Sequence, residues 1–122
     1  MSINVTIMDY YDNRESGRSS RLRIENGKMT YFEHDLGPLD SDWDDGRELE
    51  MWDEFDEENT QKFLRVLGIA DADENIIKET LAKRFSQRPS EGVFDQWASR
   101  NFKDFVKEHD LKYISNSWSS YS

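Results

Sequence analysis

The dipeptide Asn26-Gly27, set between two alternating runs, constrains this chain more than any other feature. A type I′ turn needs positive φ at both central residues, which Asn and Gly tolerate. Before it, Leu22 and Ile24 alternate with Arg21 and Arg23; after it comes the run from Lys28 to Glu33. That pattern predicts an antiparallel hairpin. Upstream, Ile3, Val5 and Ile7 alternate with Asn4, Thr6 and Met8, which predicts a strand over residues 2–10. Asp12 to Ser20 is polar, contains Gly17 and has no period, so it reads as an exposed loop.

Downstream, Asp35-Leu36-Gly37-Pro38 breaks the strand and an acidic loop runs on to Gly46. Glu48 to Trp52 alternates again. Leu49 and Met51 fall on one face, and Glu48, Glu50 and Trp52 on the other. This is a fourth strand with an acidic outer face.

Three helices are expected next. The first spans Glu57 to Leu67, with Asp56 as N-cap, an apolar face of Phe63, Leu64, Val66 and Leu67, and Gly68 as the terminating glycine. The second opens on Asp71-Ala-Asp-Glu74, which has the spacing of a capping box. Ile77, Leu81 and Phe85 then recur at helical spacing until Pro89. The third, capped by Ser90, carries Phe94, Trp97, Ala98, Phe102, Phe105 and Val106 and ends near His109-Asp110. At that spacing its aromatic residues read as core. Tyr113, Ile114 and Trp118 lie in a Ser-rich tail that suits a short last strand.

Strands first and helices after give an α+β domain: an antiparallel sheet of about four strands from the N-terminal half, packed against three C-terminal helices. The 122 residues make one domain by size. Four Trp, five Tyr and seven Phe offset a low apolar fraction, because aromatic rings bury much area each.

Charge is segregated. Between Glu33 and Glu58 there are thirteen carboxylates and one base, Arg47, a net of −12 in a chain whose total is −10. Such a field repels nucleic acid and anionic lipid and attracts basic proteins. Within it sit Trp43, between Asp42 and Asp44, and Trp52 on the polar side of the fourth strand. Tryptophan is enriched at interface hot spots. The candidate partner-binding set is therefore Asp40, Asp42, Trp43, Asp44, Asp45, Glu48, Glu50 and Trp52. Arg21 and Arg23 would share a strand face, and pairing with Glu48 and Glu50 across the sheet is a reading of them that outweighs nucleic-acid binding.

Patterns for chemistry are sparse. The chain has no Cys, hence no disulfide, thiol nucleophile or thiolate metal site. Asp40, Asp42 and Asp44 are spaced like the first ligands of an EF-hand. Glycine falls at the seventh position, Gly46, and the twelfth is Met51, not Glu. Asp71, Asp73 and Asn75 fail similarly, with Ile76 where glycine belongs. His34 and His109 lie on different elements, and His109 suits a helix C-terminus. There is no G-x-S-x-G elbow and no phosphate-cradling glycine loop. No metal, cofactor or catalytic residue is expected. No apolar run approaches a membrane span and the first residues lack a signal-peptide pattern, so a cytoplasmic protein is expected.

Four segments together are similar to small acidic bacterial proteins, a resemblance covering residues 24–118. They are Asp35-Leu36-Gly37 after the hairpin, the acidic–aromatic strand Glu48 to Trp52, the helix end Leu64 to Gly68, and the tail from Phe105 to Trp118. Some small acidic proteins of this sort are immunity proteins that neutralise a toxin of the same locus. The resemblance implies a stoichiometric inhibitor with a basic partner, such as a cognate toxin nuclease, and carries over no catalytic residue. A phage-type DNA mimic, a divalent-cation-binding module and a small enzyme remain as alternatives at this point.

Overall fold

The computed structural model describes residues 2–11, 17–36, 48–86 and 97–119. Its element order is β1 (Ser2–Tyr11), β2 (Gly17–Glu25), β3 (Lys28–Leu36), β4 (Glu48–Glu54), α1 (Glu57–Val66), α2 (Glu74–Phe85), α3 (Trp97–Glu108) and β5 (Ile114–Ser119). The strands form one antiparallel sheet in chain order, with the three helices inserted between β4 and β5. This is the α+β arrangement expected, and the Ser-rich tail supplies the fifth strand.

The β2–β3 turn holds Asn26 at φ 53° and Gly27 at φ 78°, the positive values a tight hairpin demands. Alternation then sorts the faces. Ile3, Val5 and Ile7 are buried while Ser2, Asn4 and Thr6 are exposed. Leu22, Ile24, Met29 and Tyr31 continue the buried face. Phe55, just past β4, bonds back through its N–H to the Met29 carbonyl at 2.9 Å.

Each helix adds an apolar stripe. Phe63 and Leu64 of α1, Ile77, Leu81 and Phe85 of α2, and Phe102, Phe105 and Val106 of α3 are all buried. Four phenylalanines, Phe63, Phe85, Phe102 and Phe105, meet with centroids 5.4–5.9 Å apart, mostly edge to face. Rings prefer that arrangement because a positive edge meets a negative face. Tyr31 stacks on Phe102 at 4.6 Å and ties the sheet to α3.

Helix ends follow from capping chemistry. Asp56 accepts from the Asn59 N–H at 2.8 Å. α1 closes with a paired C-terminal motif around Gly68, φ 74°: Ile69 N–H donates to Leu64 O and Gly68 N–H to Arg65 O. α3 ends the same way, with Leu111 N–H on Val106 O, Asp110 N–H on Lys107 O, and Asp110 itself at φ 53°.

Several sequence expectations need correction. α2 is capped by Asp73, which accepts from Ile76 N–H at 2.9 Å, so the helix starts two residues later than a cap at Asp71 would place it. Val66 lies off the buried stripe of α1 and is 42% exposed. β2 begins at Gly17, inside the expected loop, and Ser20 is buried: neighbours on both sides impose a strand where the side chains show no alternation. β3 likewise continues through Asp35 and Leu36, which pair with Leu49 and Glu48. Ser90, Phe94 and the remainder of 87–96 lie outside the described residues.

Candidate binding surface

Antiparallel partners share a face of the sheet, so the register maps the side opposite the helices. Arg21, Phe32, Trp52 and Asn116 form one row across four strands. His34, Glu50 and Trp118 form the next row, and Thr30, Glu54 and Ile114 the one on the other side. Glu50 and Glu54 therefore flank Trp52 along β4. Both carboxylates are exposed and the indole is half-buried. Trp118 is 49% exposed.

Charge changes sign across this face. Arg21 and Arg23 of β2 place their guanidinium carbons 4.8 and 5.0 Å from the centroid of the Phe32 ring. Stacking of that kind holds a cation against an aromatic face. The register corrects the idea of cross-strand pairing with β4: the partners of Arg21 and Arg23 are Phe32 and Thr30 of β3, which lies between β2 and the strand of Glu48 and Glu50. Arg23 also lies 3.7 Å from Glu25 on its own strand. The β4–β5 half keeps its acidic and aromatic character.

On the helical side, burial declines from β1 to β5. Ile3, Val5, Ile7, Leu22, Ile24, Met29 and Tyr31 of β1–β3 are buried, Glu33 of β3 and Leu49, Met51 and Asp53 of β4 are half-buried, and Ser115 and Ser117 of β5 are exposed. The uncovered strip and α3 enclose a groove of about 380 Å³ whose lining includes Glu33, Met51, Asp53, Phe102, Lys103 and Tyr113. Its polar groups engage one another. Tyr31 donates its hydroxyl to Glu33 at 2.7 Å, Lys103 Nζ lies 3.0 Å from Glu33, and Ser115 Oγ donates to Asp53 at 2.6 Å.

Among the described residues, two carboxyls are held below the usual range, and both belong to helix ends. Asp56 is lowered by the bonds it accepts from the Asn59 backbone and side chain. Asp110 is lowered by the hydrogen bond and charge of Lys112. Among the described residues no group of three His, Asp or Glu is placed to hold a metal ion, and no helix is long and apolar enough to cross a membrane.

Of the sequence-predicted residues, Glu50 and Trp52 are neighbours on one open face. Glu48 lies in β4 with its backbone paired to Leu36, and its side chain lies outside the described residues. Asp40, Asp42, Trp43, Asp44 and Asp45 also lie outside them. Phe32, Trp118 and Ile114 were not among the predicted site residues. The signal for them was the aromatic pair after Asn26-Gly27 and the apolar residues spaced through the Ser-rich tail. No protein-family model matches this chain, and neither curated proteins nor solved structures give a match.

Proposed function

We propose that this protein is a non-catalytic acidic binding protein that neutralises a basic protein partner, with an immunity protein acting on a cognate toxin as the leading form. The observation that carries the reading is the segregation of charge. One segment, Glu33 to Glu58, holds thirteen carboxylates, and the rest of the chain is close to neutral. Its β4 portion presents Glu50 and Glu54 on either side of Trp52, on a face that none of the described helices covers.

In this mechanism, Asp40, Asp42, Asp44, Asp45, Glu48 and Glu50 steer a cationic surface toward the protein, and Trp43 and Trp52 anchor it. Steering acts on the rate of encounter, and the aromatic anchors act on the lifetime of the complex. The test is affinity capture from the source cell's lysate at low salt, with stepwise salt elution and mass spectrometry. One basic protein recovered at one-to-one stoichiometry supports the reading. A spread of abundant basic proteins leaving at low salt contradicts it.

A further inference from the structure

The two edges of the sheet are built differently. β1 has a register shift between Thr6 and Met8, its Thr6 carbonyl accepts from Ser86 Oγ, and α2 packs along it. Bulges and occupied backbone groups are how sheets blunt an edge. β5, among the described residues, has only β4 beside it. Its sequence, Ile-Ser-Asn-Ser-Trp-Ser, contains no charge and no proline. Tyr113, Ile114 and Trp118, at 47, 69 and 49%, are three of the five large exposed apolar side chains among the described residues, so that exposure concentrates at this edge.

Both surfaces bordering the edge are acidic. Glu50 and Glu54 lie one strand in on the open face, and Asp53 and Glu33 line the groove on the other. Lys103, the cation among the groove's described residues, is engaged by Glu33.

We propose that β5 receives an extended basic segment of the partner protein as a sixth strand. This rests on the acidic-binding reading above and specifies how the partner is held. An added strand bonds its backbone to the side of β5 away from β4, and its side chains alternate between the two surfaces. One set lies beside Ile114 and Trp118, where long cationic side chains reach Glu50 and Glu54. The other set enters the groove toward Asp53. Charge favours this occupant over a second copy of the chain, which has the same net −10 and would set its own Glu50 and Glu54 beside these.

The probe is a synthetic peptide of alternating Lys and Val, about seven residues long like a short strand. Two isomers are N-methylated on opposite sets of alternate backbone nitrogens. Hydrogen exchange is followed on the full chain. The expected result is new protection over residues 114–119 when the unmodified peptide is added, with one methylated isomer binding about tenfold or more weakly than the other. Binding without protection at 114–119, or equal binding of both isomers, overturns the added strand while leaving the acidic-binding reading intact. Failure of the peptide to bind also overturns it. So does concentration-dependent protection of 114–119 without peptide, accompanied by dimers in sedimentation, because the occupant is then a second copy.

Discussion

Thr60 Oγ1, on α1, accepts the backbone N–H of Met29, on β3, at 2.9 Å, and both residues are fully buried. Met29 sits directly after the hairpin turn. Its carbonyl is already taken by Phe55 N–H, so Thr60 completes the backbone bonding where helix and sheet meet. Replacing Thr60 by Val keeps the shape and leaves that N–H without an acceptor. A buried donor left unpaired costs about 1–3 kcal/mol. Urea denaturation of Thr60→Val is expected to show a loss of that size, while Thr60→Ser, which retains the hydroxyl, loses less.

Asp56 gives a pH signature. Its pKa in the folded protein lies below the ordinary 3.8 because Asn59 donates to it from backbone and side chain. A carboxyl depressed on folding stabilises the native state above its unfolded pKa, and that stability is lost as pH falls through the folded value. Thermal stability is thus expected to fall below pH 3.8. Asp56→Asn, which still caps the helix, should weaken that acid dependence. Asp56→Ala should lower the melting temperature at neutral pH as well.

The two helix ends with positive φ respond in opposite senses. Gly68 has open space where a Cβ would stand, so Gly68→Ala is opposed by backbone conformation alone, at φ 74°. The cost is about 1 kcal/mol, measured by chemical denaturation. Asp110 occupies the matching place after α3 at φ 53°. Asp110→Gly relieves the left-handed side chain and forfeits the exposed pair with Lys112, a kind of pair that contributes little. Its melting temperature is expected to rise.

A substitution at Trp118 tests folding and binding separately. It is 49% exposed on the edge strand, so Trp118→Ala should change stability by about 0.5 kcal/mol or less, as for most surface substitutions. If this aromatic anchors a partner, the same change should cost about 2 kcal/mol of affinity, read by titration calorimetry with the captured partner. A large stability loss with unchanged affinity would assign the ring to the fold instead.

Much of the fold was legible because the local signals agree with the tertiary result. The Asn26-Gly27 turn, the alternation of Ile3, Val5 and Ile7, and the helical spacing of Ile77, Leu81 and Phe85 each point to the face that is buried. Legibility ended where neighbours override local pattern. Ser19 and Ser20 are strand because β1 and β3 flank them, and Asp73 caps α2 because the chain turns two residues beyond Asp71. Of the candidate surface, the shared face of Glu50 and Trp52 was readable from alternation in β4. The row joining Trp52 to Phe32 and Asn116 depends on cross-strand register, which no single strand's sequence contains. The groove was not readable either, since it arises from where α3 stops covering the sheet.

The central claim is that the acidic segment steers a basic partner. Its most direct test is stopped-flow association with the captured partner across a range of salt, for the native protein and for Asp42→Asn/Asp44→Asn/Asp45→Asn. Steering is screened over about 8 Å at physiological ionic strength. The account predicts a steep fall in the native association rate with salt, a slower rate and shallower slope for the triple variant, and unchanged folding. Equal association rates and salt slopes for the two proteins would contradict it.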